Sequence, residues 1–314
     1  MIPVVGIGAG LVAALLFAVV ITGSPLSALL YSASPLPIFI AALGWNHRAG
    51  LIATAAGALA VAVALSVKGG VAFALIIGLP AWWIAYLALL ARTDERGVLE
   101  WYPLGKLMLW IAGTAALATV GSALVMTTDY DTYRGAVARM IETLLNEMVR
   151  SRMIALPADM PVKELADSLA PAVPLGIGAS FVTTITLNLW LAAKAVAISG
   201  RLPRPWPFIP GMTLPRVTLL ILLGAGVLAA LGNFVGLAAM ALCGALFAAF
   251  MFSGLCLLHD LSRGRSWRLP MLISVYVALV VMQAVLTPLL ALIGLADTVF
   301  GLRRRALPPP PAKS

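Results

Sequence analysis

Apolar residues run along almost the whole chain, in stretches of about 20 separated by short breaks that carry charge, glycine or proline. A helix needs about 20 mostly apolar residues to cross a bilayer. Lipid offers no hydrogen-bond partner, so each such stretch must be a helix or part of a closed barrel. Continuous runs exclude the alternating pattern of barrel strands. The pattern predicts spans over residues 4–22, 26–44, 49–67, 71–91 and 104–126, then 174–198, 215–231, 235–258 and 271–293. Pro35 and Pro37 fall inside the second span, where a missing N–H predicts a kink or partial unwinding. The expected fold is all-α: a polytopic transmembrane helical bundle of about 8–9 spans, with residues 1–302 as the membrane domain.

Two segments depart from the apolar pattern. Residues 127–173 form a polar excursion. Within it Val137, Ile141, Leu144 and Met148 share one helical face, and Arg139, Glu142, Glu147 and Arg150 take the others. Pro157 and Pro161 end this helix, and Pro161 opens a second one through about Ala170. The excursion reads either as an amphipathic helix lying on the membrane or as a lid, over residues 131–156, on an outward-facing pocket. The last residues, 303–314, are basic and then proline-rich, which predicts a disordered tail.

Composition agrees with a membrane bundle. Hydrophobic residues make up 62% and charged residues 11%, against roughly a quarter charged in soluble domains. The net charge of +9 has a local explanation, so nucleic acid is not an expected partner. His47, Arg48, Arg92, Arg96, Arg201, Arg204, Arg216, Arg263, Arg265 and Arg268 sit in alternate loops, while the intervening short loops hold only Lys68. Basic short loops stay cytoplasmic, which puts the N-terminus there too; the lipid bilayer is the expected surrounding. Nine crossings, the count adopted, would leave Arg303, Arg304 and Arg305 outside; the alternative is that the segment from Leu289 to Leu302 turns back. The first run lacks a charged leading region and a cleavage break, and reads as a retained span.

No catalytic constellation is visible. There are two histidines, His47 and His259, and no HExxH, phosphate-cradling loop or cysteine cluster, so neither an enzyme nor a cofactor or metal site is expected. Cys243 and Cys256 lie in one apolar run and read as small hydrophobes. The out-of-place polar groups are therefore the candidates. Ser180, Thr184 and Asn188 fall four apart on one face of the sixth span, and Asn188 needs partners in a dry bundle. Either it is interhelical glue or it faces a ligand pocket with Thr184, Trp82 and Tyr86. Gln283, with Tyr276 two turns before it, reads as glue. Gly6, Gly10 and Ala14 form a small-residue stripe that suits close helix packing, within the chain or with a partner subunit. The stretch RLPRPWPFIPGMTLPR, from Arg201 to Arg216, reads as a stiff linker or as a docking surface presenting Arg204 and Trp206.

This last stretch, preceded by Asn188, resembles the YybS-like family of bacterial integral membrane proteins. Three further places are similar: the proline-bearing span with its GWNHR exit (Pro35 to Arg48), GLCLLHDLSRGRSWR (Gly254 to Arg268), and IGLAD (Ile293 to Asp297) followed by Arg303 to Arg305. The resemblance implies a bacterial inner-membrane location. It also implies a distant likeness to the substrate-capture (S) components of energy-coupling-factor transporters, six-span proteins that bind vitamins or metal ions and dock on a transmembrane coupling subunit driven by ATPases. The spans beyond six depart from that pattern. The expectation is solute uptake; the alternative is a membrane scaffold in envelope assembly or division.

Overall fold

A computed structural model describes residues 1–303 except 96, 156, 158 and 159. The amino-terminal half begins with α1 (Ile2–Ala18), prolonged by a 3-10 turn to Thr22, then α2 (Pro25–Ser32), α3 (Leu36–Trp45) and α4 (His47–Ala64). Next come α5 (Val67–Phe73) and α6 (Leu79–Ala88), joined without a gap by a π-helical turn over Ala74–Gly78. A small hairpin, β1 (Ala91–Thr93) and β2 (Leu99–Trp101), precedes α7 (Leu104–Met126). The carboxy-terminal half holds α8 (Tyr130–Arg150), α9 (Val162–Leu169), α10 (Val173–Ile198), α11 (Val217–Leu228), α12 (Phe234–Leu261), α13 (Arg268–Val281) and α14 (Gln283–Phe300). Among the described residues, 8 helical segments are long and apolar enough to cross a membrane, counting α2–α3, α5–α6 and α9–α10 as single units. The all-α polytopic bundle expected from the apolar runs is therefore the fold observed.

Small residues set the packing. In lipid, apolar side chains gain nothing by leaving the solvent, so helices associate through close backbone approach and polar contacts. Gly6 and Gly10 of α1 lie against Ala49, Ala53 and Gly57 of α4, with no room for a side chain. Gly178 of α10 meets Ala241 of α12, and Gly254 of α12 meets Leu290 and Gly294 of α14. Phe39, Phe73, Phe250, Leu246 and Ile185 fill the centre, each at most 1% exposed.

Contacts between loops define two ends of the bundle. At one end Arg201 lies over the Trp45 ring at 4.7 Å, Arg204 donates to the Ala88 carbonyl at 2.9 Å, and Arg263 lies over Phe208 at 4.6 Å. Gly6 beside Ala49 places the start of α1 at this end as well. The loops read as basic thus share one face, with the start of the chain. The other end carries α8 and α9. Asp129 caps α8; the Thr132 hydroxyl and N–H both donate to its carboxylate and hold its pKa below the usual range.

Four boundaries differ from the sequence reading. The span expected over 271–293 is two helices that part at Met282 (φ −119°, ψ 38°). Helix α14 then runs parallel to α12, with Gly294 beside Phe250 and Arg303 beside Asp260, so the chain returns to the basic face and the single ninth crossing is replaced by a hairpin. The tail does not begin disordered: Arg303 is buried, while 304–314 lie outside the described residues. Helix α8 ends at Arg150, before 156, because Arg152 turns left-handed (φ 57°) and the Met153 N–H bonds back to the Met148 carbonyl, a Schellman closure. The segment expected over 71–91 stops at Ala88, where the chain enters the hairpin and Arg92 faces Glu100.

Candidate functional site

A cavity of about 1010 Å³ lies between α10 and α12 on one side and α13 with the start of α14 on the other. Ser180, Thr183, Thr184 and Thr186 come from α10, and Gln283 and Thr287 from α14. At the end nearer the basic face the His259 ring meets the Tyr276 hydroxyl at 2.9 Å, and both residues line the space. The middle is apolar, with Phe247, Met251 and Leu255 along α12. From Phe247 to His259 the wall is about 18 Å long at 1.5 Å per residue. Helix α13 buries no residue, so the gap opens sideways past Val280, which is 82% exposed, and past Leu187 and Trp190 on α10.

Beneath this cavity sits a charge cluster. Arg303 Nε donates to Asp297 at 2.9 Å and its backbone N–H reaches the same carboxylate at 3.2 Å. The guanidinium lies 3.7 Å from Asp260, and it donates to the carbonyls of Pro210 and, at 2.9 Å, of Met212. Asp260, Asp297 and Arg303 are 6%, 5% and 8% exposed. One arginine therefore joins the end of α12, the end of α14 and the proline-rich loop. The left-handed Gly301 (φ 62°) that ends α14 turns the chain so that Arg303 points back inward. The signal was present in the sequence as two carboxylates in otherwise apolar helices, followed by an arginine run.

Only Thr184 of the four expected pocket residues lines this cavity. Asn188 Nδ2 donates to Thr184 O and Ser32 O, each at 2.8 Å. Pro35 explains the second bond. It breaks the second span between α2 and α3, the Leu36 N–H turns to Ala33 O, and the Ser32 carbonyl is met from across the bundle by Asn188. Asn188→Leu is expected to cost about 1–3 kcal/mol by leaving that carbonyl unpaired, read as a lower midpoint in reversible detergent unfolding; an unchanged midpoint would rule out the capping role. Trp82 packs near Gly50, and Tyr86 meets His47 edge-on at 5.3 Å and stacks on Trp83 at 5.7 Å. Neither joins Asn188. None of the described residues of the excursion lines the cavity; α8 packs on α9, and its Tyr130 meets Phe234.

The stripe Gly6, Gly10 and Ala14 is buried inside the chain, Gly6 and Gly10 against α4, which leaves none of it free for a partner in this conformation. Arg204 points inward to Ala88 O and over Trp101, and burial lowers its pKa. Trp206 carries the Lys194 ammonium on its ring at 4.0 Å but stays 41% exposed. The loop as a whole is seated on the bundle, with Thr213 against Gly105 and with Met212 and Leu214 buried. The Gln283 side chain makes no hydrogen bond among the described residues; because the chain breaks at Met282, it faces the cavity and bridges no helices.

No family model, no curated protein and no solved structure matches this chain.

Proposed function

We propose that this multi-pass membrane protein binds a small amphiphilic solute in the cavity between α10, α12 and α13, and that this binding serves solute uptake. The observation that carries the reading is the cavity itself: about 1010 Å³, at the upper end of the 300–1,000 Å³ usual for ligand sites. It has an apolar wall, polar groups at both ends and a side opening. An uptake role of the S-component kind would add a coupling subunit and ATPases. Membership of the YybS-like family rests on the four motifs and belongs to the same proposal. So do an inner-membrane location and a cytoplasmic N-terminus, supported by the short basic loops gathered on one face with the start of α1.

A scaffold in envelope assembly or division is the second reading. Trp206 and Phe208, 41% and 52% exposed on the proline-rich loop, favour it. The test is native mass spectrometry of the purified protein for retained small molecules, beside Thr287→Trp, which fills the cavity from α14. The binding reading expects retention to fall at least about tenfold, a loss of about 1.4 kcal/mol. Equal retention in a folded Thr287→Trp protein would discard it.

A further inference from the structure

We infer that the cavity takes one acyl chain of an anionic phospholipid from the leaflet on the basic face, with its phosphate held at the mouth by Arg265 and Arg268 and by the His259–Tyr276 pair. The inference rests on the binding part of the reading above, independently of uptake, and names the ligand class. Three observations lead to it.

The first is length. The apolar wall from Phe247 to His259 runs about 18 Å inward from the basic face. Half of a bilayer's hydrocarbon core is about 15 Å, so the slot has the depth of one leaflet, with its His259–Tyr276 end toward the basic face.

The second is access. A lipid enters from the side, and the side is open. Helix α13 meets the core only through partly buried side chains, Val275 and Leu279, and the lips of the slot, Leu187, Trp190 and Val280, are all exposed. These lips are apolar, which suits entry of a hydrocarbon chain.

The third is charge. No aspartate or glutamate occurs from Leu261 to Ala296, while Arg263, Arg265 and Arg268 do. Arg263 is partly engaged by Asp260 at 3.8 Å and by the Phe208 ring. Arg265 is exposed, and Arg268 opens α13, the helix that carries Tyr276. The carboxylates nearest the mouth, Asp260 and Asp297, are already turned to Arg303. The mouth therefore presents uncompensated positive charge together with a Tyr hydroxyl and an imidazole, a set that suits a phosphate diester carrying net negative charge.

The experiment is native mass spectrometry of the full-length protein, from nanodiscs holding equal amounts of phosphatidylglycerol and phosphatidylcholine with the same chains. The protein is expected to retain phosphatidylglycerol at least about tenfold over phosphatidylcholine, a difference of about 1.4 kcal/mol. Arg265→Gln/Arg268→Gln should abolish the preference and keep a bound lipid. Thr287→Trp should release both lipids; Leu279→Trp, on the loosely held α13, serves if that variant fails to fold. Inorganic phosphate should not compete, since the chain is part of the site; competition would assign the site to the free anion and overturn the inference. Retention without selectivity, or selectivity unchanged in the arginine variant, would overturn it while the cavity stayed a binding site. Retention unchanged in both slot-filling variants would remove the binding reading itself.

Discussion

Replacing Arg303 with methionine is expected to cost about 3–5 kcal/mol of stability, the range found when one partner of a buried ion pair is removed. Solvent screening gives little relief, because the Arg303 side chain is 10% exposed and those of Asp260 and Asp297 are 8% and 3%. The variant leaves Asp297 without its counter-charge, leaves Asp260 only the half-exposed Arg263 at 3.8 Å, and takes a donor from the carbonyls of Pro210 and Met212. Those carbonyls belong to the proline-rich loop, so loop and hairpin should loosen together. The measurement is reversible unfolding in mixed micelles, with hydrogen exchange followed over 209–214 and 290–300. Adding Asp260→Asn and Asp297→Asn to Arg303→Met should recover part of the loss, since the desolvated charges leave with their partner. A single variant that loses less than about 1 kcal/mol, the scale of a surface ion pair, would show that water reaches the cluster.

The spans were legible because their signal is local. About 20 apolar residues in a row have one stable form in lipid, and the Pro35 break announces itself by a missing donor. The turn at Met282 does not: no glycine, proline or charge stands between Val281 and Gln283, and the proline of that region, Pro288, sits inside α14. What breaks the helix there is tertiary. Helix α14 follows α12 back to the basic face, and Arg303 then reaches Asp260. The candidate site divides in the same way. Ser180 and Thr184 were visible as neighbours on one helix face, and Tyr276 and Gln283 on another, but that these faces oppose one another across a gap is not written in either periodicity. Asn188 shows the limit plainly. Its need for a partner was readable, whereas the partner, Ser32 O, became available through a proline in a helix remote in sequence. The stripe of Gly6 and Gly10 correctly indicated close packing, and only coordinates tell α4 from a second protein.

Gly294→Leu is expected to cost more than about 3 kcal/mol, beyond the usual 1–3 kcal/mol of an overpacked core. The reason lies in what the new side chain would meet. A Cβ at Gly294 falls on the Phe250 carbonyl, and one at Gly254 falls on the Leu290 carbonyl. Backbone cannot rotate aside as a side chain can, so α12 and α14 must part. With no hydrophobic force between helices in lipid, close approach is a large share of what joins them. The matched control is Gly224→Leu on α11, where a Cβ meets nothing within 4 Å; there the change should be neutral, or favourable by up to about 0.5–1 kcal/mol from helix propensity. Equal effects at the two glycines would show that close approach is not what joins α12 to α14. Parting these helices also withdraws Arg303 from Asp260, so Gly294→Leu and Arg303→Met act on one contact between α12 and α14. Their combined cost should fall short of the sum by about 0.5–3 kcal/mol, the coupling seen between residues that share partners. Strict additivity would mean that the glycine crossing and the arginine cluster hold the hairpin independently.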